Sequence, residues 1–367
     1  MDNLSKLVDC FSANYVEARQ KFISECDLQS LIVKSYINEN AEGFRGEKLY
    51  ADVVRIGRAD AEKTILLLSG THGVEGYCGS GAQISLLRTG IFSNLPDQLS
   101  VLMIHAMNPY GFSHDRRVTE DNVDLNRNFL DFTAASRPAS EYYKLHEFLL
   151  PKDWDGPGRE LADAELGRYM REHGMVAFQA AISSGQYSFP DGIFYGGAQP
   201  TWSNTMFRSV LTEYLINTKK LAVVDFHTGL GPYAYGELIA KGTRAEKTRA
   251  AAWYGSQVTD PEEGTSTSAV LDGMVANGIS ETLCNAELTF VTLEFGTIPV
   301  FEVLTALRGD NWLYHNQGVD GLLRAKIKQG IREAFYPDSD HWKMEVLKRT
   351  HEVVAMTVAG IDSNFSS

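Results

Sequence analysis

Short apolar runs recur along the chain, and each is bounded by small or polar residues. The first clear run is Ile65–Leu68, and comparable runs cover residues 100–106, 221–226 and 289–295. Runs of this length between turn-forming residues are typical of strands that are buried on both faces of a sheet. Residues 48–56 alternate between apolar and polar positions, as an outer strand does. The pattern therefore predicts a sheet whose inner strands are fully covered.

Helical spacing of apolar residues appears between the predicted strands and at both ends of the chain. It predicts an N-terminal helix over residues 5–26, helices over 202–217 and 243–257, and helices over 300–307, 310–335 and 341–357. Strands that alternate with helices indicate an α/β fold, with a single mixed, mostly parallel β-sheet and helices on both faces. No repeat, low-complexity tract or linker divides the chain.

We therefore expect one α/β domain over residues 1–367. The N-terminal helix (about 1–30) and the C-terminal helices (about 300–367) are expected to pack on it.

Composition narrows the class of protein. The chain has 367 residues, 44% hydrophobic residues and a formal charge of −13, which argues against binding to nucleic acid or to an anionic membrane surface. No stretch approaches the roughly 18 apolar residues that span a bilayer, and the N-terminus lacks the pattern of a secretory signal. The four cysteines have no C-x-x-C spacing. These features predict a cytoplasmic protein with free thiols.

Ionisable residues follow the predicted strands, where ligand sites of such sheets form. His72 and Glu75 come after the first buried run, His227 follows residues 221–226, and Glu294 lies within the last run. Two imidazoles and one carboxylate are a known zinc set for hydrolysis, with the fourth position open to water. Asp225 could orient His227 if the strand continues that far.

Each of these residues also has a structural interpretation. His227 alone is more often a hydrogen-bonded structural residue than a ligand, and Glu75 could instead favour the start of the following helix. Arg116, Arg117 and Arg127 could be solvated or paired with nearby aspartates. Glu294 is harder to explain structurally, because an unpaired buried carboxylate is costly. The prediction of a site rests on the joint pattern.

The ordered set of motifs resembles the zinc carboxypeptidase family (M14-like metallopeptidases), and within it a bacterial branch. The set is His72-x-x-Glu75, Asn108-Pro109, Arg117, the block Asp124-Leu125-Asn126-Arg127-Asn128-Phe129, His227 and Glu294. H-x-x-E is common by chance, whereas the D-L-N-R-N-F block downstream of it is far more specific. The resemblance covers roughly residues 45–300 and implies a zinc-carboxypeptidase-like fold.

The resemblance also implies a role for each matching residue. His72, Glu75 and His227 would bind one zinc ion, and Glu294 would be the general base. Arg117 is the better match for the arginine that stabilises the oxyanion, and Asn126 and Arg127 match the pair that holds a terminal carboxylate. The family often adds a tyrosine that closes over the substrate, and the sequence does not choose among Tyr233, Tyr235 and Tyr254.

The leading expectation is a zinc-dependent hydrolase that cleaves a C-terminal peptide or peptide-like amide bond. An N-acyl-amino-acid deacylase, similar to aspartoacylase or succinylglutamate desuccinylase, is the alternative within catalysis. A non-catalytic protein that binds metal or carboxylate ligands on the same scaffold is the alternative outside it. The expected substrate is a small peptide or an acyl-amino acid, and the sequence does not decide between a monomer and a homo-oligomer.

Overall fold

Eight strands form one sheet in the computed structural model, which describes residues 5–134 and 141–363. The strands are β1 (Val33–Glu42), β2 (Lys48–Ile56), β3 (Lys63–Leu68), β4 (Leu99–His105), β5 (Lys220–Tyr233), β6 (Gly236–Lys241), β7 (Val258–Thr259) and β8 (Glu287–Gly296). Their order across the sheet is β1-β2-β4-β3-β5-β8-β6-β7. The inner strands β4, β3, β5 and β8 are mutually parallel, whereas β1, β2 and β6 pair antiparallel with their inward neighbours. The predicted single mixed, mostly parallel sheet is confirmed.

Helices cover the sheet and its edges. They are α1 (Tyr15–Leu28), α2 (Gly76–Arg88), α3 (Pro109–Ser113), α4 (His146–Leu149), α5 (Pro157–His173), α6 (Met175–Ser183), α7 (Trp202–Leu215), α8 (Arg244–Tyr254), α9 (Val275–Thr282), α10 (Val300–His315), α11 (Gly321–Phe335) and α12 (Asp340–Asp362). Short 3₁₀ turns lie at Ser5–Cys10, Gly73–Glu75, Leu125–Arg127 and Glu141–Lys144.

Apolar side chains of the inner strands pack on both sides of the sheet, as the continuous apolar runs predict. In β3, Ile65 and Leu67 belong to the core cluster that includes residues of α1, α2 and α12. Leu66 and Leu68 belong to the opposite cluster, which includes residues of α7 and α9. Successive side chains of a strand point to opposite faces, so a strand between two helical layers must be apolar throughout.

Two predicted helices are divided in the structure. The N-terminal helix begins as a 3₁₀ turn, and α1 starts afresh after Asn14, whose side chain accepts a hydrogen bond from Glu17 N–H at 3.0 Å. The helix predicted over 310–335 breaks between α10 and α11, where Asp320 caps α11 by accepting from Leu322 N–H at 2.8 Å. Residues 1–4 and 364–367, at the ends of the predicted terminal helices, lie outside the described residues.

Across the described residues, no helix has the combination of length and apolar character that crossing a bilayer requires. The four cysteines are unpaired, and Cys284 is the exposed one.

The last residue of β4, His105, is completely buried. Its Nε2 lies 2.8 Å from Ser80 Oγ, and its ring stacks on Phe22 with the centroids 4.5 Å apart. No hydrogen-bond partner in the described part of the chain reaches its Nδ1. Burial lowers the pKa of His105 from 6.5 to about 4, because a charged ring would be poorly solvated there.

We expect His105 to make stability fall in mild acid. Below pH 6.5 His105 binds a proton in the unfolded chain but not in the folded one, which lowers the free energy of unfolding. This loss of stability grows until about pH 4 and is constant below that pH. It amounts to about 3 kcal/mol. Urea unfolding measures the difference in free energy of unfolding between wild type and His105→Asn at each pH. Because wild type alone carries this loss, the difference should be smaller at pH 4 than at pH 7 by that amount. His341→Asn, at an exposed histidine, is the control. A gap for His105→Asn that is independent of pH would contradict this assignment.

Candidate active site

His72 and Glu75 lie on the turn between β3 and α2, beyond the carboxyl end of β3. Gly73 N–H donates to the carbonyl of Arg117 at 3.0 Å and ties this turn to the neighbouring loop. A Cβ atom at Gly73 would lie 2.0 Å from the backbone carbon of Gly111. Only glycine permits this close approach of two backbones, which fixes the position of both potential ligands.

His227 and Glu294 come to the same edge of the sheet from β5 and β8. The two strands are parallel, and the two residues are direct partners in their register. Both are almost fully buried, with 3% and 7% of their surfaces exposed. The next backbone group of β5, Thr228 N–H, donates to Glu75 Oε2 at 3.1 Å. The sheet register therefore brings all three chain segments together.

The carboxylate of Glu75 lies between the two imidazoles. Its Oε1 is 2.8 Å from His72 Nδ1, and its Oε2 is 2.7 Å from His227 Nδ1. One potential ligand atom from each residue lies within 4.8 Å of the other two. These three buried residues could hold a metal ion.

The far nitrogen of each imidazole contacts a second carboxylate. His72 Nε2 is 3.2 Å from Asp124 Oδ1, and His227 Nε2 is 2.9 Å from Asp225 Oδ2. An Nε2–H that donates to a carboxylate leaves the Nδ1 lone pair for a metal and fixes the orientation of the ring. The donor set therefore fits a divalent cation of the zinc type.

Negative charge is concentrated around these ligands. Burial, and after it the charge of Glu75, raise the pKa of Glu294 from 4.5 to about 8. Burial also disfavours ionisation of Asp124, but the guanidinium groups of Arg117 and Arg127 hold its pKa well below its usual range. A buried cluster with several carboxyl groups and only two guanidinium groups is electrostatically suited to a divalent cation.

The two adjacent arginines point to different places. Arg117 lines the site, where its Nη1 donates to Glu75 Oε1 and its Nε to Asp124 Oδ2, both at 3.0 Å. Arg116 instead donates from Nε to Asp310 Oδ2 at 2.9 Å and stacks over Tyr314. Of the two arginines that the residues alone left open, the structure brings Arg117 to the cluster and Arg116 to a buried ion pair.

Asn126 and Arg127 lie on the 3₁₀ turn that follows Asp124. Asn126 Oδ1 accepts from Val275 N–H at 3.0 Å, which anchors the amide. Arg127 is buried and donates from Nη1 to the carbonyl of Asn126 at 2.9 Å and from Nε to the carbonyl of Ser183 at 3.0 Å. Its nearest ion-pair distance is 3.9 Å, to Asp124. Among the described residues, Arg127 is therefore a buried cation whose one ion pair, with Asp124, is long.

One cavity of about 290 Å³ joins these groups. It is lined by every residue that the sequence predicted for catalysis, metal binding or substrate binding: His72, Glu75, Arg117, Asn126, Arg127, His227 and Glu294. Apolar side chains of α6 and α10 complete much of its wall. The structure thus brings the predicted set together around one space, while the individual roles remain predictions.

Three residues of the site escaped prediction. Phe194 has a positive φ of 54° and lies 5.5–5.6 Å from the guanidinium carbons of Arg117 and Arg127. Lys241, at the end of β6, lines the same cavity. Asp124 opens the D-L-N-R-N-F block, but the sequence pattern does not predict its contact with His72. The glycine-rich sequence around Phe194 indicates a loop but not its position.

The tyrosines between His227 and Glu294 do not reach the cavity. Tyr254 is buried, and its hydroxyl lies 2.9 Å from Thr357 Oγ1 in the core. Tyr233 and Tyr235 are half-exposed. No tyrosine appears among the described residues that line the cavity. None of the three tyrosines therefore occupies the position expected of a closing residue in this structure.

A mixed sheet that carries a buried His–Glu–His cluster at the carboxyl ends of its inner strands defines an α/β protein with a candidate metal centre. The chain belongs to the family described as "Protein of unknown function (DUF2817)", whose model matches residues 11–349. No curated protein matches its sequence.

Several solved structures are similar to the chain at low sequence identity. Carboxypeptidase A from Helicoverpa armigera has 14% identity and a TM-score of 0.44 over 94% of this chain and 74% of that one. Bovine thrombin-activatable fibrinolysis inhibitor has 12% identity and a TM-score of 0.45 over 94% and 98%. A metallo-carboxypeptidase from Burkholderia cenocepacia has 13% identity and a TM-score of 0.36 over 86% and 66%.

Removal of one ligand should reduce metal binding sharply. We expect His72→Ala to lower zinc affinity by more than the about 10- to 100-fold that loss of an outer partner causes. A competition titration with a chelator measures this affinity, and elemental analysis gives the metal content. His341→Ala, at an exposed histidine of α12, is the matched control. Zinc affinity that is the same in His72→Ala and wild type would contradict the ligand set.

Loss of the carboxylate of Asp225, which contacts His227 from behind, should reduce zinc affinity less than loss of a ligand does. Asp225→Asn keeps the shape of the side chain but no longer offers His227 Nε2 a charged acceptor, so we expect zinc affinity to fall about 10- to 100-fold. The same chelator titration measures it. An unchanged affinity would show that His227 needs no help from this carboxylate.

Proposed function

We propose that the protein is a zinc-dependent hydrolase that cleaves a C-terminal peptide or peptide-like amide bond. The observation that carries the proposal is the cavity in which a His–Glu–His cluster, a buried carboxyl group and three cationic or amide side chains face one another. Each element of amide hydrolysis has a candidate there: metal ligands, a base, an oxyanion donor and a binding site for a carboxylate.

A zinc ion held by His72, Glu75 and His227 would supply Lewis-acid polarisation of the amide carbonyl and activation of water. The protein contributes the geometry. The contacts of Asp124 and Asp225 with the far imidazole nitrogens keep both rings aimed at Glu75.

Glu294 is the proposed general base, which takes the proton of the attacking water and returns it to the leaving amine. Its Oε1 accepts from Leu230 N–H at 3.0 Å, and no hydrogen bond within the described residues engages its Oε2. Burial raises the pKa of this carboxyl group above the ordinary value for glutamate, which makes its ionised form a stronger proton acceptor. The charge of Glu75 contributes to that shift and is compensated when a cation is bound, so the pKa of the loaded protein is lower.

Arg117 is the proposed oxyanion donor. Two of its nitrogens are fixed by Glu75 and Asp124, whereas its Nη2 makes no hydrogen bond within the described part of the chain. A guanidinium that is already oriented by two carboxylates needs no reorganisation when negative charge develops on a carbonyl oxygen. This preorganisation supports a role in the transition state.

Arg127 and Asn126 are proposed to hold the terminal carboxylate of the substrate. Arginine has five N–H groups, and the contacts of Arg127 with the carbonyls of Ser183 and Asn126 leave one N–H on each terminal nitrogen. Asn126 Nδ2 donates to no described residue. A substrate carboxylate would give this guanidinium a direct partner, whereas Asp124 lies 3.9 Å away and is shared with Arg117.

The decisive change is Glu294→Gln, which removes the base and keeps the shape. We expect kcat to fall about 10²- to 10⁴-fold, with zinc content unchanged in elemental analysis. The assay panel contains N-blocked dipeptides together with N-acetyl and N-succinyl amino acids. Glu287→Gln, the same change at the opposite end of β8, is the matched control and should retain full activity.

Three outcomes would contradict the proposal in different ways. Full activity of Glu294→Gln would remove this residue from the mechanism. Cleavage of acyl-amino acids without cleavage of any dipeptide would identify a deacylase instead of a peptidase. Zinc-loaded protein that cleaves no member of the panel would contradict the proposed hydrolysis.

A further inference from the structure

The cavity continues along two strands away from the metal ligands. On β6, Ile239 and Lys241 line it, and on β8, Thr292 and Glu294 line it. Ile239 is the register partner of Thr292, and Lys241 is the partner of Phe290, four residues before Glu294. At about 3.3 Å per residue, the backbone positions of Lys241 and of the proposed base Glu294 are about 13 Å apart along the strands. This distance suits a ligand the size of one amino acid residue with its side chain.

Lys241 is a half-buried cation without a partner. No ion pair or hydrogen bond within the described residues engages its amino group. The two carboxylates that raise its pKa, Asp260 and Glu262, both form ion pairs with Lys247, the first at 2.7 Å. Burying part of a charged group without a partner costs free energy. A contribution to the stability of the fold therefore does not explain a lysine at position 241.

The charges around Lys241 indicate which of its two neighbouring cavities affects its amino group more strongly. Lys241 borders this cavity and also a second one of about 330 Å³ that Asp260 and Glu262 line. Burial, and after it the positive charge of Arg127, lower the pKa of Lys241 to about 8, and Asp260 opposes this shift less strongly. The largest single charge effect on the pKa of its amino group therefore comes from Arg127, which lines the cavity of the proposed active site.

The carboxyl groups that line the cavity lie at its metal end, and two cations lie beyond them. The acidic residues among its described lining are Glu75 and Glu294, and both lie at the metal end. Arg127 and Lys241 supply positive charge beyond them. The wall of the same cavity includes the apolar side chains of Ile239, Leu271 and Met274. The space thus offers a second cation next to an apolar wall that accommodates methylene groups.

We propose that Lys241 is the specificity-determining residue of the cavity and selects substrates whose released C-terminal residue carries an acidic side chain. This inference rests on the proposed function, in which Arg127 and Asn126 hold the terminal carboxylate. The second carboxylate of an aspartate or glutamate then pairs with Lys241, and its methylene groups contact the apolar wall. Two cations at separate points match the two carboxylates of an acidic amino acid.

Four N-blocked dipeptides that differ only in the last residue (Glu, Gln, Leu or Lys) test the preference in the zinc-loaded protein. Glu and Gln have nearly the same shape, so their comparison isolates the charge. We expect kcat/KM for the Glu peptide to exceed that for the Gln peptide about 10- to 100-fold, the range of one hydrogen bond to a charged group.

Variants at the same position assign the preference to Lys241. Lys241→Met should remove it, Lys241→Arg should keep it, and Lys241→Glu should shift it toward the Lys peptide. The matched control is Lys326→Met, at an exposed lysine of α11, which should leave the Glu preference intact. Equal kcat/KM for the Glu and Gln peptides in wild type, or a preference that survives Lys241→Met, would overturn the inference.

Calorimetric binding of N-acetylglutamate and N-acetylglutamine separates this inference from the proposed function, because the Glu294→Gln change is added to each protein so that neither compound is hydrolysed. Tighter binding of N-acetylglutamate that is lost in Lys241→Met supports the acidic subsite. If this preference is present but no amide is cleaved, the hydrolase proposal fails and the subsite stands. If amides are cleaved without any preference in binding or in kcat/KM, the subsite fails and the hydrolase proposal stands.

Discussion

The site depends on one buried carboxylate with four partners. Glu75 Oε1 contacts His72 Nδ1 and Arg117 Nη1, and its Oε2 contacts His227 Nδ1 and Thr228 N–H, all within 3.1 Å. A buried charge persists only where hydrogen bonds and opposite charges replace its lost hydration. These partners come from the turn after β3, from the loop that carries Arg117 and from β5. Ionised Glu75 therefore requires all three segments to be in place.

The parallel sheet brings those segments together. β3 lies between β4 and β5, and β5 lies next to β8, so the chain leaves these strands at one common edge. In the register, Leu68 is opposite Asp225, and His227 is opposite Glu294. The first histidine reaches the edge through the turn after Leu68, and the second lies within its strand. Residues more than two hundred positions apart thus meet without any loop having to span the molecule.

The central fold could be predicted because strands covered on both faces must be apolar along their whole length. The same rule exposed the site, since His227 and Glu294 interrupt apolar runs that otherwise need no polar residue. The edge strands gave weaker signals. β1 is largely polar, and β6 has six residues with a glycine at one end and a lysine at the other. Because β6 was not predicted, Lys241 had no place in the predicted site.

The choice between Arg116 and Arg117 could not be derived from local sequence. The two residues are adjacent and of the same type, and each can form an ion pair. Tertiary contacts decide between them: Asp310, 194 residues later on α10, engages Arg116. The local pattern contains no trace of that partner, so only the resemblance to a family favoured Arg117 before the structure was known.

The distribution of charge along the cavity argues that its cations are kept for a ligand. Arg116 is buried and donates to Asp310 and Asn122, so its charge is paired within a structural network. Within the described residues, Lys241 forms no ion pair, and Arg127 comes no closer than 3.9 Å to a carboxylate, that of Asp124, which Arg117 also engages. Apolar residues at these two positions would avoid the loss of hydration. Positions where a chain departs from the most stable choice without local compensation are expected at functional sites. The weakly compensated positive charge at this end of the cavity therefore supports the proposed ligand, an anion with more than one negative group.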